Sequence, residues 1–359
     1  MKKILIICSQ IGFSMISDLP YLFKKGGFRV VVISPAYWLI QSNSFIDEWI
    51  EVGGQDNFAL LRKGDELKES FDLVLLSSDE LAWDLYKTDF AKKLSPIKNP
   101  TYFNVLEGKI GVALFCEKAK ILNPPFKIVK NLQEALLGAL EMGFPVMLKM
   151  PQSAGGKGIV KCDTLMDLEN ISFPSPLLLE KYIEGEVVNV EPFFFESKLV
   201  AYNYSLSLFS KTPYAPSLKR LFKPYPHIEP LLDQIGQALF AHGIFNLTFI
   251  KEKGTGLHYL TELDCRPNKW VRYGRFAGVD WIQAIKSLKG DPVESPKKEK
   301  IMNHFPETLF GAMEQKNIRG ILYWIFNREG SWQYLPYYDV RLCCRGFFRF
   351  IRKLSSYRN

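Results

Sequence analysis

The first 98 residues alternate short apolar segments with helix-prone ones, and this pattern constrains the fold more than any other feature of the chain. Three segments have the pattern of buried strands: KILIIC, GGFRVVVIS and FDLVLLSSDE. Continuous apolar strands separated by helices are typical of a parallel sheet that is covered on both faces. No Gly-x-Gly-x-x-Gly follows the first strand. The pattern therefore predicts a Rossmann-like architecture without a dinucleotide-binding fingerprint.

The length of 359 residues is too great for one ordinary core and predicts two or three domains. The apolar run ILIIC near the N-terminus is shorter than the roughly 7–15 residues of a signal-peptide core. No apolar run approaches the ~20 residues of a membrane span. The six cysteines form no Cys-x-x-Cys pair, which favours reduced thiols, a cytoplasmic protein and no structural zinc site.

The net charge of +8 is concentrated near the C-terminus. Between Arg341 and Arg358 there are six basic residues and no acidic one, which leaves +2 for the rest of the chain. A nearly neutral body argues against a broad nucleic-acid-binding surface, so we expect no nucleic-acid partner.

The basic segment VRLCCRGFFRFIRKLSSYRN has the pattern of an amphipathic helix, with its basic side chains on one arc. The other side carries Cys343, Cys344, Phe347, Phe348, Phe350, Ile351 and Leu354. Such a helix could lie on an anionic membrane, with the paired cysteines as acylation sites. The alternative, which we favour, is that its apolar side packs on the N-terminal domain of the same chain.

A glycine-rich loop in LKMPQSAGGKGIV is the first candidate site, and Lys149 ends the apolar strand before it. The loop contains Ser153, Gly155, Gly156, Lys157 and Gly158. Glycines let backbone N–H groups converge on an anion, and lysines add positive charge. The loop is not a Walker A motif, because no Gly-Lys-Ser/Thr leads into a helix. A phosphate-binding loop and a flexible hairpin tip both remain open.

The segment LLLEKYIEGE is the second candidate. Glu180 follows an apolar strand, and Lys181, Tyr182 and Ile183 could offer backbone donors and acceptors to an adenine edge. A carboxylate at Glu184 or Glu186 would then be within reach of ribose hydroxyls. The alternative is a polar strand end that leads into a turn.

The segment YLTELDCRPN is the third candidate. In a strand, Glu262, Asp264 and Arg266 point to the same face. Paired carboxylates suit Mg²⁺, which takes oxygen ligands and bridges phosphates, and an arginine beside them could stabilise a transferring phosphate. The alternative is the solvent-facing edge of a hairpin.

The order of these segments resembles that of the ATP-grasp superfamily over Lys109 to Arg266. The corresponding motifs are Lys109 in EGKIG, ILNPP, Lys149 in PVMLKM, SAGGKG, Glu180 in LEKYIEGE, and Glu262 to Arg266 in ELDCR. The resemblance implies an α/β and α+β fold, in which an N-terminal Rossmann-like (pre-ATP-grasp) domain precedes a two-lobed ATP-grasp fold. We expect the N-terminal domain at 1–98, a central lobe at 99–185, a C-terminal lobe with the metal site at 186–295, and an extension at 296–359.

The resemblance also implies an activity. Most ATP-grasp enzymes use ATP and Mg²⁺ to convert a carboxylate into an acyl phosphate, which an amine then attacks. Small-molecule or peptide carboxylates and amines are the partners this implies, and a homodimer is compatible with the sequence. In this chain Arg266 and Lys149 would be the catalytic residues, and Glu262 and Asp264 would hold the metal. The nucleotide-binding residues would be Lys109, Lys149, Ser153, Gly155, Gly156, Lys157, Gly158, Glu180, Lys181, Tyr182, Ile183 and Glu186.

Two residues depart from the family pattern. Asp264 replaces the usual asparagine of the closing motif, which adds a negative charge. Thr248 stands where the family normally has an acid on the preceding strand, and a hydroxyl is a weaker metal ligand than a carboxylate. The interpretations left open are an enzyme in which Asp264 compensates, an enzyme with one weak metal site, and a nucleotide-binding protein with little turnover.

The substrate region is the least informative part of the sequence. Lys219, Arg220, Arg272 and Arg275 are candidates for anchoring an anionic substrate. Arg272 and Arg275 are the better candidates, because they follow directly from the metal-binding segment. Solvated basic residues in surface loops are the alternative for each of them.

Overall fold

The structure is a computed structural model. It describes residues 1–9, 18–36, 39–54, 56–67, 70–171, 176–304, 307–326, 336–346 and 348. These residues form three β-sheets with helices packed around them.

The N-terminal sheet is parallel, with strand order β3-β2-β1-β4. Its strands are β1 (Lys3–Ile7), β2 (Arg29–Ser34), β3 (Glu48–Glu51) and β4 (Leu73–Leu76). The helices around it are α1 (Leu19–Lys25), a 3₁₀ turn (Leu39–Ser42), α2 (Asn57–Glu66), α3 (Asp79–Tyr86) and α4 (Ala91–Leu94). The predicted parallel sheet is confirmed, and its central strands are buried because both faces are covered.

The second sheet is antiparallel, with strand order β5-β8-β6-β7. Its strands are β5 (Phe126–Val129), β6 (Val146–Lys149), β7 (Ile159–Cys162) and β8 (Leu177–Lys181). The helical segments of this region are a 3₁₀ helix (Pro100–Glu107), α5 (Lys109–Ala119), α6 (Leu132–Met142) and α7 (Leu165–Glu169). Helix α6 begins where Asn131 accepts a hydrogen bond from the Glu134 N–H, and it ends at Gly143, whose φ of +72° suits glycine.

The third sheet has seven strands in the order β14-β13-β9-β10-β11-β15, and β12 pairs with β9. They are β9 (Gly185–Phe195), β10 (Lys198–Ser210), β11 (Ser217–Phe222), β12 (Gly243–Ile244), β13 (Asn246–Glu252), β14 (His258–Asp264) and β15 (Lys300–Asn303). The helical segments are 3₁₀ turns at Pro226–Ile228 and Val271–Ala277, and helices α8 (Glu229–Leu239), α9 (Trp281–Ser287), α10 (Glu307–Glu314) and α11 (Ile318–Phe326). Strand β15 lies within the segment 296–359 and pairs with β11.

The N-terminal domain and the third sheet share a hydrophobic core. Ile4 and Phe23 of the N-terminal domain belong to the same buried cluster as Phe193, Val271 and Trp281. Burial of apolar surface on both sides of this contact is the main force that holds the two units together. The contact places the carboxyl edge of the parallel sheet beside the end of β14.

The described part of the basic C-terminal segment packs on the N-terminal domain. Leu342 is 1% exposed, and Asp339 accepts hydrogen bonds from the Ser44 N–H and hydroxyl at 2.6 and 2.9 Å. The ring of Tyr338 stacks on that of Tyr21. This arrangement agrees with the packing alternative for residues 336–346. The predicted amphipathic helix beyond them, apart from Phe348, lies outside the described residues.

None of the helices among the described residues combines the length and apolar character needed to cross a bilayer.

Candidate functional site

A cavity of about 620 Å³ lies between the three sheets. It brings together thirteen of the residues singled out in the sequence: Lys109, Lys149, Ser153, Gly155, Gly156, Glu180, Lys181, Tyr182, Ile183, Arg220, Glu262, Asp264 and Arg266. Lys157, Gly158, Glu186, Arg272 and Arg275 are not part of its lining. All three candidate segments therefore face one space, although they are separated by up to about a hundred residues in sequence.

The floor of the cavity is formed by three adjacent strands, β9, β13 and β14. Thr248 lies between Asn189 and Glu262 in the strand register, and Asn246 pairs with Asp264. Period-two alternation brings Asn246, Thr248, Glu262 and Asp264 to the face that lines the cavity. The sequence prediction that Glu262 and Asp264 share a face agrees with this placement. The strand register also places Thr248 directly opposite Glu262.

Arg266 forms a two-bond ion pair at this floor. Its Nε and Nη2 donate to the two carboxylate oxygens of Asp79, each at 2.6 Å, and Nη2 also donates to Asp264 at 3.1 Å. Burial raises the pKa of Asp264, and the charges of Asp79 and Glu262 act in the same direction, whereas Arg266 opposes them. A cation at this position would meet two carboxylates that already have one basic partner each: Arg266 for Asp264 and Lys109 for Glu262.

Two of the lysines that line the cavity, Lys109 and Lys149, are buried and held by different partners. Lys109, at the start of α5, donates to the carbonyl and hydroxyl oxygens of Ser153 at 2.8 and 3.1 Å, and its Nζ lies 4.0 Å from Glu262. Lys149, at the end of β6, forms an ion pair of 2.5 Å with Glu180 at the end of β8. Neither ammonium group is solvated in the usual way, since their side chains are each only 8% exposed. Both therefore provide fixed positive charge at the cavity wall.

The glycine-rich loop forms one side of the cavity and approaches the segment between β10 and β11. Gly156 has φ +80°, and a Cβ added there would lie 2.5 Å from the carbonyl oxygen of Tyr214. Gly155 also has a positive φ, +68°, but has no neighbouring atom in the position of a Cβ. Glycine at 156 is thus required both by the backbone conformation and by the close approach of Tyr214.

The end of β8 and the residues after it line the cavity through Lys181, Tyr182 and Ile183. The Lys181 Nζ donates to the Gly143 carbonyl at 2.7 Å, and the Tyr182 N–H donates to the Pro145 carbonyl. These bonds fix the path of the chain between the second and third sheets. Glu186 is exposed on β9.

The four basic residues proposed for substrate binding lie in different surroundings. Arg220 is 4% exposed, donates to Glu191 and Asn189 at 2.8 and 2.9 Å, and stacks on Trp270 at 4.4 Å. Arg272 forms an ion pair of 2.7 Å with Asp18 of the N-terminal domain. Arg275 is exposed beside it, and Lys219 lies on β11 opposite Asn303. Of the four, Arg220 is the one that faces the cavity.

Several cavity residues were not anticipated from the sequence. Asp79, which binds Arg266, follows the apolar strand β4 in VLLSSDE, and a polar run at the carboxyl end of a parallel strand was the available signal. Asn246 donates to Asp264 at 2.7 Å, and Asn268 donates to Asn246 and Glu191 at 2.7 and 3.0 Å. Asparagines in strands and loops carry no pattern that distinguishes these roles.

The donor set fits one cation that also binds a phosphate group. No cluster of three His, Cys, Asp or Glu side chains with metal-ligand geometry occurs in the part of the chain that the structure describes. Mg²⁺, however, commonly takes only one or two protein carboxylates and completes its shell with water and phosphate oxygens. Glu262 and Asp264 meet that requirement, with the Thr248 hydroxyl beside them.

No protein-family model matches the chain. The large chain of carbamoyl phosphate synthase from Pseudothermotoga lettingae is 29% identical over 96 residues, which is 25% of this chain. The chain corresponds to only 9% of that protein's length.

Solved structures resemble most of the chain. The ADP complex of N5-carboxyaminoimidazole synthetase from Staphylococcus aureus has a TM-score of 0.64 and 17% identity, and the match covers 88% of this chain and 85% of that one. L-amino acid ligase from Bacillus licheniformis has a TM-score of 0.61 and 16% identity, and the match covers 85% of this chain and 80% of that one. The biotin carboxylase domain of Hydrogenobacter thermophilus 2-oxoglutarate carboxylase, solved with MgADP and bicarbonate, has a TM-score of 0.60 and 18% identity. That match covers 80% of this chain and 69% of the other. At these identities the likeness establishes the fold.

Proposed function

The chain has the ATP-grasp fold, and we propose that it is a Mg²⁺-dependent ligase that phosphorylates a carboxylate and transfers the acyl group to an amine. The observation that carries this proposal is the convergence, in one cavity, of two buried lysines, a glycine-rich loop and a same-face pair of carboxylates. The motif order over Lys109 to Arg266 supports the same assignment.

Nucleotide binding is assigned to the walls of the cavity formed by the second sheet. Lys109 and Lys149 would neutralise phosphate charge, and the backbone N–H groups of the glycine-rich loop would close over the phosphates. Glu180 and the backbone of Lys181 to Ile183 would hold the adenine. The relatives with bound ADP or MgADP support a nucleotide at a cavity of this kind.

Glu262 and Asp264 would hold Mg²⁺ at the floor. When bound, the metal supplies positive charge that neutralises the phosphate oxygens during transfer. Lys109 lies 4.0 Å from Glu262, so its ammonium group would orient that carboxylate and contact phosphate at the same time.

The chemistry assigned to the chain is mainly positioning. A substrate carboxylate oxygen would attack the γ-phosphorus of ATP, the bond to the ADP oxygen would break, and an acyl phosphate would form. An amine would then attack the acyl carbon, lose a proton and release phosphate. Arg266 would stabilise the negative charge that develops on the transferred group, and closure of the loop at Gly156 would exclude water.

A second candidate function is nucleotide binding with little or no turnover. It is favoured by Thr248, which puts a hydroxyl opposite Glu262, at the position where the ATP-grasp pattern described above has an acid. The basic C-terminal segment would then serve to recruit a nucleotide-binding module to a membrane or polymer.

Release of ADP, measured with a coupled assay against panels of carboxylates and amines, separates the two functions. A ligase forms ADP only when Mg²⁺ and a particular carboxylate are present, and hydroxylamine in place of the amine captures the acyl phosphate as a hydroxamate. Glu262→Ala should abolish this turnover. Tight nucleotide binding without stimulation by any carboxylate would favour the binding protein, and unchanged turnover in Glu262→Ala would contradict the metal assignment.

A further inference from the structure

We propose that Asp79 of the N-terminal domain is a positioning residue, which holds the Arg266 guanidinium away from full pairing with the metal-binding carboxylate Asp264; this inference rests on the proposed function. The N-terminal domain would thereby complete the site, although the residues proposed to bind the nucleotide all lie between Lys109 and Glu186, after that domain in the sequence.

The geometry of the contact is the first support. Asp79 accepts two hydrogen bonds of 2.6 Å from one edge of the guanidinium, at Nε and Nη2. The side chains are only 16% and 12% exposed. A paired, two-bond contact between a carboxylate and arginine fixes both the position and the plane of the guanidinium.

The backbone of Asp79 is itself fixed by the N-terminal domain. Asp79 is the first residue of α3, and the preceding Ser78 caps the helix by accepting a bond from the Leu81 N–H at 3.2 Å. The Ser78 hydroxyl also bonds to that of Ser9 at the end of β1, at 2.9 Å. Arg266 follows β14 directly, so the ion pair joins the parallel sheet to the metal-binding strand.

The second support is competition for one arginine. Arg266 already donates to Asp264 at 3.1 Å, a longer bond than either of those to Asp79. If Asp79 loses its charge, Asp264 becomes the stronger remaining acceptor, because a charged donor prefers a charged acceptor in a buried site. Arg266 would then neutralise a carboxylate that Mg²⁺ requires.

Titration of Mn²⁺ into the ADP complex of the full chain, followed by electron paramagnetic resonance, measures this effect without turnover. Asp79→Asn should weaken Mn²⁺ binding about tenfold, which corresponds to ~1.4 kcal/mol. Glu80→Gln is the matched control, since it removes one negative charge from the same helix turn and the same cavity wall but keeps both hydrogen bonds between Asp79 and Arg266. It should weaken Mn²⁺ binding by no more than about threefold.

Arg266→Met distinguishes positioning from simple loss of charge. In the Asp79→Asn background, Arg266→Met should restore Mn²⁺ affinity, with a gain at least about fivefold larger than the same substitution gives in the wild-type background. Equal effects of Arg266→Met in both backgrounds would overturn the inference, because additive charge effects would then explain the data. Asp79→Glu, which keeps the charge, should bind Mn²⁺ more tightly than Asp79→Asn, and the reverse order would also overturn it. Absence of Mn²⁺ binding in the wild-type ADP complex would instead refute the proposed function.

Discussion

Thr248 is the residue at which this site departs most from the ATP-grasp pattern that the sequence resembles. It lies between Asn189 and Glu262 across three strands, so a neutral side chain stands at the centre of the floor. The carboxylates of the floor are Glu262 and Asp264 on β14 and Glu191 on β9, which is paired with Arg220. Asp264 adds a carboxylate one row away, where the ATP-grasp pattern that the sequence resembles has an asparagine.

Thr248→Glu tests how far this neutral side chain limits metal binding. The new carboxylate would face Glu262 directly, and a charge about 4 Å from a partly buried cation contributes on the order of 1 kcal/mol or more. We expect Mg²⁺ to bind the ADP complex at least about fivefold more tightly, as measured by isothermal titration calorimetry. Thr248→Val, which removes only the hydroxyl, is the control and should change the affinity little. An unchanged Mg²⁺ affinity in Thr248→Glu would show that the metal does not reach this strand.

The glycine-rich loop lines the cavity, and its backbone at Gly156 closely approaches Tyr214, in the segment between β10 and β11. Gly155 and Gly156 have similar positive φ angles, so alanine strains the backbone comparably at both positions. Only at 156 does a Cβ also meet a carbonyl oxygen at 2.5 Å.

Gly156→Ala should therefore weaken ADP binding about tenfold, and Gly155→Ala by no more than about threefold, in a fluorescence titration. The difference between the two variants isolates the contact with Tyr214 from backbone strain. Equal losses would mean that this contact has no part in nucleotide binding.

Strand β14 also makes stability depend on pH through His258. This side chain is 9% exposed, accepts or donates one hydrogen bond with the Tyr204 hydroxyl at 3.0 Å, and lies near the rings of Tyr225 and Phe249. Burial, reinforced by Lys251, lowers the pKa of His258 from 6.5 to about 4. His258 therefore binds a proton near pH 6.5 in the unfolded chain, but only near pH 4 in the folded chain.

The contribution of His258 to the free energy of unfolding should accordingly fall as the pH drops from 6.5 towards 4, because its side chain binds more protons in the unfolded state in that interval. Urea denaturation at pH 7.5 and pH 5 measures the decrease. His258→Gln should show a smaller decrease than the wild type, since glutamine does not titrate. Identical decreases in both proteins would contradict the assignment.

The order of elements and the site segments could be predicted from sequence, and the contacts between domains could not. Strand periodicity placed Glu262 and Asp264 on one face, because alternation is a local property of the backbone. Asp79 and Arg266 are 187 residues apart in sequence, and their pairing depends on how the first and third sheets pack together. No local sequence pattern encodes that packing. The partner of Arg272 could not be predicted either: the sequence suggested an anionic substrate, whereas the structure pairs Arg272 with Asp18 of the N-terminal domain.

At the scale of the whole molecule, the N-terminal domain is bound on two sides. The third sheet shares a core with it, and residues 336–346 cross it with Leu342 buried. Asp339, 2% exposed, is the central polar contact of this second attachment, since it bonds to Ser44 and to the Leu342 N–H.

Asp339→Ala should detach this segment, at a loss of about 1–3 kcal/mol in the free energy of unfolding, because the Ser44 N–H is left without its acceptor. Limited trypsin digestion should then cleave near Arg341 and Arg345 faster than in the wild type. Glu299→Ala, at an exposed acid, is the control and should change neither quantity. Unaltered cleavage in Asp339→Ala would indicate that the C-terminal segment is held by other contacts.

The central claim is that one cavity binds a nucleotide together with Mg²⁺ through Glu262 and Asp264. Titration of a fluorescent ADP analogue, with Mg²⁺ and with EDTA, tests it most directly when the wild type is compared with Glu262→Gln. We predict that Mg²⁺ tightens binding to the wild type, and that Glu262→Gln retains the affinity measured in EDTA but loses most of the tightening by Mg²⁺. Failure of the wild type to bind the analogue, or an equal Mg²⁺ effect in both proteins, would contradict the claim.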